Sequence, residues 1–234
     1  LKSTLTLQGL AEDQIEITEG VNQFVWDQNY PPAERADGMI LWTGGIGAAK
    51  AAPGKYTAKI KYGNDSTEIA FVIKPNPVYQ ATEADYDAQV SFLLSVRDKF
   101  NEVQKAIKNI RTIRTQITDL NSRVDAKSNK DLKQFADSVS KQLTAIEEAL
   151  YQTKAKSGQD VLNFPIRLND KISGLYGVAA SGQNAPSKQV REAFADLSGQ
   201  ANAQLVKLQK IIDTDLKQLN KMINDKQVPV IGIK

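Results

Sequence analysis

The side chains that could do chemistry in this chain are few in kind. Its 234 residues include no Cys and no His, which removes thiolate and imidazole metal ligands, the Ser-His-Asp triad and the usual proton shuttle near neutral pH. The clustered acids of the N-terminal part are Asp27, Glu34 and Asp37, in one loop. Glycoside hydrolysis needs two convergent carboxylates, but an acid-rich loop is far more often a solvated turn. We therefore predict no catalytic residue.

Metal and cofactor sites are also not indicated. The glycine-rich stretch Thr43-Gly44-Gly45-Ile46-Gly47 lacks the Lys-Ser/Thr ending of a phosphate-binding P-loop. No dinucleotide fingerprint precedes a helix. We predict no metal ligand and no cofactor-binding residue.

Three aromatic residues are candidates for binding a sugar. Trp26, Tyr30 and Trp42 lie in the N-terminal part, and exposed aromatic rings can stack on a sugar ring. The alternative is that the tryptophans belong to the core or to a sheet face, because large aromatics dominate core burial. We keep these three residues as a glycan-binding hypothesis.

The first 76 residues read as β structure. Tyr56, Ala58, Ile60 and Tyr62 alternate with polar residues, which is the period of a half-buried strand, and the turn residues 63–66 lead into a second run with Ile69, Phe71 and Ile73. Further strand candidates are Val21–Trp26, Met39–Trp42 and the pair Ile15 and Ile17. Five or six short strands with Gly and Pro turns predict a small immunoglobulin-like β-sandwich over residues 1–76.

The rest of the chain, residues 77–234, reads as long helices. Thr82 and Asp85 resemble a capping box, and apolar residues then recur every three or four positions from Val96 to Val124. A helix of about 40 residues would be roughly 60 Å long. Similar spacing runs from Leu132 to Leu150, a shorter helix is expected near Pro165, and a last one from Val190 to Ile223. We predict an antiparallel three- or four-helix bundle, which makes the fold class multi-domain α and β.

Charge and hydropathy say little about partners. A net charge of +3 does not argue for nucleic acid, and the basic residues of the first helix fit a solvated face. These are Lys99, Lys105, Lys108, Arg111 and Arg114. No apolar run approaches the roughly 20 residues that span a bilayer, so no membrane insertion is predicted. No signal peptide is visible in residues 1–7, and we expect the chain to be a piece of something longer.

A family resemblance runs along most of the chain. The stretches Val21–Asp27, Gly38–Trp42 and Ala52–Thr57 resemble the C-terminal region of large bacterial proteins with sortilin-type, BNR-repeat propellers, often named glycosyl hydrolases. The resemblance continues through Ala81–Asp85, Arg97-Asp98, Leu168–Ile172 and Ala185–Ser187. In that family the propeller lies N-terminal to this region and would hold any active site. The resemblance therefore implies an exported protein, periplasmic or at the cell surface, with the missing propeller as its partner.

Three functions remain open at this stage. The leading one is a non-catalytic accessory region, structural or interacting, so that this chain is not itself an enzyme. The second is a carbohydrate-binding module that uses Trp26, Tyr30 or Trp42. The third is homo-oligomerisation through the long apolar seams of the helices. Lys74-Pro75-Asn76-Pro77 joins the two halves, and its two prolines predict a short, stiff elbow.

Overall fold

The computed structural model describes residues 18–42, 46–125 and 128–228 in full, and residues 2–7 and 13–16 for their backbone. It contains one β-sheet and a set of long helices. The strands are β1 (Lys2–Leu7), β2 (Asp13–Glu16), β3 (Gly54–Tyr62) and β4 (Asp65–Ile73). They form a single antiparallel sheet in the order β2-β1-β3-β4.

The predicted immunoglobulin-like β-sandwich is wrong. Only one sheet forms among the described residues, so its strands have no second sheet to pack against. Val21–Trp26 and Met39–Trp42, both predicted as strands, have no strand structure. Ile15 does lie in β2, whereas Ile17 falls outside the described residues. A short apolar run is compatible with a strand, but it can equally pack its side chains on a neighbouring helix, and periodicity does not separate the two.

The hairpin of β3 and β4 is where the alternating pattern predicted a strand pair. Tyr56 lies opposite Phe71 and Ala58 opposite Ile69, in an unbroken register of nine pairs. Gly63 has a φ of +56° at the first loop position, which a type II′ turn requires and which glycine adopts without strain. The turn therefore fixes both the register and the face that each side chain occupies.

The described residues of the helical part form five α-helices. They are α1 (Glu83–Arg123), α2 (Lys130–Leu150), α3 (Leu168–Ala180), α4 (Lys188–Lys210) and α5 (Leu216–Asp225). A single π turn, Ile211–Asp215, makes α4 and α5 one continuous rod. A short 3₁₀ turn, Gly158–Leu162, lies between α2 and α3. Pro165, predicted as an early helical residue, precedes α3, which begins at Leu168.

Helix α1 is the axis of the helical part. The Thr82 hydroxyl accepts a hydrogen bond from Asp85 N, and the Asp85 carboxylate accepts one from Thr82 N at 3.0 Å, so the predicted capping box forms. One face of α1 is then fully buried against α2, α3 and α4. The largest fully buried side chains of the molecule include Phe100, Ile107, Ile110, Leu132, Leu143, Leu150 and Ile172.

The non-regular segment before β3 belongs to the same core. Ala36, Ile46 and Ala49 are buried together with side chains of the helices. Residues 28–30 and 49–51 close this segment into a loop through two backbone hydrogen bonds of 2.8 Å, between Tyr30 and Ala49 and between Ala51 and Gln28. The division of the chain at residue 76 stays a prediction, but Tyr30, Ala36, Met39, Ile46 and Ala49 pack in the same core as the helices.

Candidate functional site

The molecule's most elaborate polar arrangement holds an extended segment against the helices. We call residues 30–42 the strap. Backbone without regular structure must still satisfy its N–H and C=O groups, and here side chains of the helices do so. Glu34 N donates to Asn101 Oδ1 at 2.8 Å, and Ala36 N donates to Gln104 Oε1 at 3.1 Å. These two acceptors lie nearly one turn apart on α1, so the strap follows the helix.

The far end of the strap is held by α3 and by the end of α2. Ile40 N donates to the hydroxyl of Tyr151 at 3.2 Å, and Trp42 N donates to Asp170 Oδ2 at 2.7 Å. Asp170 is 4% exposed. A hydrogen bond from a backbone N–H to a buried carboxylate is a strong one. The strap is thus fastened at both ends and along its length.

Arginines of α1 bind the strap's carbonyl groups. Arg97 Nη1 donates to Pro31 O at 3.2 Å, and Arg111 Nη1 donates to Asp37 O at 2.9 Å. Arg111 also lies over the ring of Tyr151, 5.4 Å from its centroid, in the geometry of a cation–π contact.

The carboxylate of Glu147 binds Arg111 and a further arginine of α1, Arg114. Arg111 Nε and Arg114 Nη1 each lie 2.7 Å from one of its oxygens, and Glu147 is 3% exposed. A buried carboxylate in the last turn of α2 lies near the negative end of the helix dipole, so it needs both cations. We call Arg111, Arg114, Glu147 and Tyr151 the latch.

The latch lines an open cleft of about 410 Å³, which Gly38, Ile40, Thr153, Ala155 and Lys156 complete. Both arginines of the cleft bind Glu147, and Arg111 also binds the strap. The arrangement is suited to holding the strap in place, and no group of three or more potential metal-ligating His, Cys, Asp or Glu residues occurs in the described part of the chain.

The predicted sugar-binding aromatics lie in different surroundings. Trp26 packs against Tyr56 and Phe71, with ring centroids 6.0 and 6.2 Å away, and its Nε1 donates to Asn29 O. Tyr30 is half-buried against the core. Trp42 is 53% exposed. Trp26 is therefore the centre of an aromatic cluster at the base of the hairpin, and Trp42 is the ring that faces solvent.

The carboxylates of Asp27 and Glu34 have separate partners, and the contact of Asp37 is made by its backbone carbonyl. Asp27 binds the Asn29 side chain and backbone N–H, and these hydrogen bonds lower the pKa of the Asp27 carboxyl. Glu34 lies 3.2 Å from Lys108 Nζ. Asp37 contributes its carbonyl oxygen to the strap's contact with Arg111. The structure gives no convergent pair of carboxylates here.

Sequence reasoning missed the residues that hold the strap, although a signal was present. Gln104 lies on the apolar face of α1 beside Val103 and Ile107, and Glu147 follows Ile146 on the apolar face of α2. A polar residue inside an apolar stripe indicates a buried hydrogen bond. Arg111 and Arg114 were assigned to a solvated face, whereas the structure pairs them with Glu147.

Comparison with protein-family models, with curated proteins and with solved structures finds no match to this chain. Among the described residues, no helix has the length and apolar character needed to cross a membrane.

Proposed function

We propose that this chain is a non-catalytic accessory region with a structural and interaction role. The observation that supports this most is where the buried polar groups are used. Gln104, Asp170 and Tyr151 bind backbone N–H groups of the strap, and Glu147 orients the arginine that binds a strap carbonyl. Groups arranged in this way hold a rigid framework together.

The parent protein is part of the same proposal. On the resemblance of stretches such as Val21–Asp27 and Ala52–Thr57, we propose an exported bacterial protein in which a BNR-repeat propeller precedes this region and is its partner. Any hydrolase activity would then belong to the propeller.

Two measurements test this function. The reading frame upstream of Leu1 should encode a propeller with Asp-box repeats and an export signal; a different upstream domain would remove the basis for the parent. The purified chain should turn over neither glycosides nor peptides. Robust turnover by the chain alone would contradict the accessory role, provided that the activity stays with the chain through every purification step.

A second candidate function is glycan binding, and the exposure of Trp42 favours it. Because Trp26 is packed on Tyr56 and Phe71, Trp42 is the tryptophan available for stacking on a sugar. The chain has two tryptophans, so Trp26→Phe leaves Trp42 as the only indole reporter. Titration of this variant with a panel of bacterial glycans should change its fluorescence, with Trp42→Phe as the matched control. An unchanged Trp42 signal across the panel would eliminate this candidate.

Helical oligomerisation, the third possibility, has no observation in its favour. The apolar seam of α1 is covered within the chain itself, since Val96, Phe100 and Ile107 are fully buried. A self-association surface, if present, must lie elsewhere.

A further inference from the structure

Strand β4 forms an open edge of the sheet. It is the last strand in the order β2-β1-β3-β4, and β3 is its one paired neighbour in the described part of the chain. All residues from Asp65 to Ala70 are exposed. Ile69 and Val72 are apolar and yet 55% and 59% exposed. An inference from this edge goes beyond the proposed accessory function, because the edge is a specific surface on which another β-strand can pair.

The hairpin geometry shows which backbone groups the edge presents. In a hairpin closed by a two-residue turn, the pair flanking the turn, Tyr62 and Asp65, is hydrogen-bonded, and bonding alternates from there. Alternate residues of β4 therefore direct their N–H and C=O groups away from β3. These outward residues are Ser66, Glu68, Ala70 and Val72.

The edge lacks most of the features that usually prevent pairing. Proteins block exposed edges with proline, with a bulge or with charged side chains, lysine above all. Asp65–Ile73 contains no proline and no lysine, its register with β3 is unbroken, and its charged residues are Asp65 and Glu68. Pro75 lies beyond the strand. Nine residues of regular edge are thus available to another strand.

The charges of the edge favour a second copy in antiparallel orientation. The start of β4 carries Asp65 and Glu68, and Lys74 follows its end. A second β4 running antiparallel brings its Lys74 to the acidic end of the first, and the reverse, so two charge pairs form. Parallel pairing would place like charges together. We propose that β4 pairs with β4 of a second copy across a two-fold axis, which joins the two sheets into one.

Glu68 can take part in this pairing without losing its contact within the chain. Its Oε1 lies 2.8 Å from Lys59 Nζ, across the hairpin, and its side chain is 56% exposed. The second carboxylate oxygen is left for the lysine of the other copy. With Glu68 opposite Lys74 of the other copy, Ile69 lies opposite Ile73 and Val72 opposite Ala70, so the exposed apolar side chains of the edge meet apolar residues.

Charge reversal tests the orientation. Sedimentation velocity from micromolar to millimolar concentration should show a reversible monomer–dimer equilibrium. Glu68→Lys and Lys74→Glu should each weaken dimerisation about tenfold, because both symmetric pairs become repulsive. A 1:1 mixture of the two variants should recover mixed dimers. Lys74→Glu leaves the Lys59–Glu68 pair intact, so its effect does not depend on hairpin stability, which circular dichroism checks for both.

Cysteine trapping tests the location. The sequence has no Cys, so Ala70→Cys and Val72→Cys each introduce a unique thiol at an exposed edge position. Each variant is oxidised alone, and the two are also oxidised as a mixture. A covalent dimer should form in the combination whose two thiols lie opposite each other in the β4–β4 register. Val206→Cys, on the 69%-exposed site of α4, is the control and should cross-link far more slowly. A wild-type chain that stays monomeric at millimolar concentration would overturn the proposal. So would a dimer that is insensitive to both charge reversals.

Discussion

Glu147 shows how a single buried charge can hold two elements together. Its carboxylate is almost inaccessible, while its partners Arg111 and Arg114 keep about a third of their side-chain surface exposed, 35% and 38%. Substitution of the buried partner, Glu147, removes the carboxylate that orients both arginines. Solvent around the arginines reduces the cost, since exposed cations are readily hydrated.

We expect Glu147→Gln to lower the free energy of unfolding by about 2 kcal/mol. The amide keeps the shape of the side chain but loses the charge that two guanidinium groups share. Urea unfolding at neutral pH measures the loss. Glu148→Gln is the matched control, because Glu148 is exposed and surface substitutions of this kind change stability little. Equal effects of the two variants would contradict the role given to Glu147.

Asp85 gives the start of α1 a dependence on pH. Hydrogen bonds from the Thr82 side chain and backbone lower the pKa of the Asp85 carboxyl. A lowered pKa in the folded state means that its stabilising effect is complete above the unfolded value, near 3.9. The effect is lost as pH falls through the lower, folded value.

Asp85→Asn should therefore flatten the decline in stability below about pH 4, with the difference from wild type largest above that pH. Urea midpoints measured from pH 7 down to pH 2 provide the test. Asp87→Asn, an exposed neighbour on the same helix, serves as the reference. An unchanged acid decline in Asp85→Asn would show that the capping box contributes nothing to it.

The strap is an element without secondary structure that should nevertheless behave as ordered. Amides of Ala36, Ile40 and Trp42 are bound by side chains of the helices. Bound amides exchange slowly with solvent, whereas those of the exposed residues Val21 and Val25 should exchange fast.

Hydrogen exchange followed by NMR should show protection at Ala36, Ile40 and Trp42. Gln104→Leu removes the acceptor of Ala36 N and should speed exchange at Ala36 more than at Trp42. Because Gln104 is fully buried, leaving Ala36 N without an acceptor should also cost about 1–3 kcal/mol of stability. Fast exchange at all three amides in the wild type would contradict the strap.

The strap also explains which parts of the fold the sequence could predict. The helices follow from apolar spacing of three and four residues, and β3 and β4 from strict alternation, because both patterns report local geometry. Met39–Trp42 is an apolar run too short to show either period. Its backbone partners are Tyr151 and Asp170, more than a hundred positions away, and contacts at that separation leave no period in the local sequence. A second sheet was predicted for this segment, but the backbone groups of the segment are bound by side chains of the helices instead of by another strand.

The same long-range contacts hid the site residues. Nothing near Arg111 in the sequence indicates that Glu147 and the Asp37 carbonyl share it. The polar positions in the apolar stripes, Gln104 and Glu147, were the available clue, and they mark where buried hydrogen bonds form without naming their partners.

At the scale of the whole molecule, the strap and the helices share one core. Phe100 is fully buried in a cluster that includes Ala36 and Ala49 of the N-terminal part. Elements with a common core unfold together. The molecule should not lose the strap before the helices.

Phe100→Ala should lower stability by about 3–5 kcal/mol through the cavity it leaves. Helical circular dichroism and the fluorescence of Trp42, in a Trp26→Phe background, should report one coincident unfolding transition. Val206→Ala, at an exposed helix position, is the control and should change little. Two separate transitions, with Trp42 first, would contradict the shared core.

The π turn in the last helix has a consequence for how this chain tolerates changes of length. Leu216 N–H binds Ile211 O, five residues back, so the turn accommodates one residue more than an α-helix would. Ile211 and Leu219 are eight positions apart, and both are buried. In a regular α-helix, residues seven positions apart lie on nearly the same face. The helix thus carries the equivalent of a one-residue insertion that it has absorbed on the spot. Deleting Thr214 should let the rod close into plain α-helix with Leu219 still facing inward, whereas deleting Asn202 should turn Leu208 by about 100° away from the core.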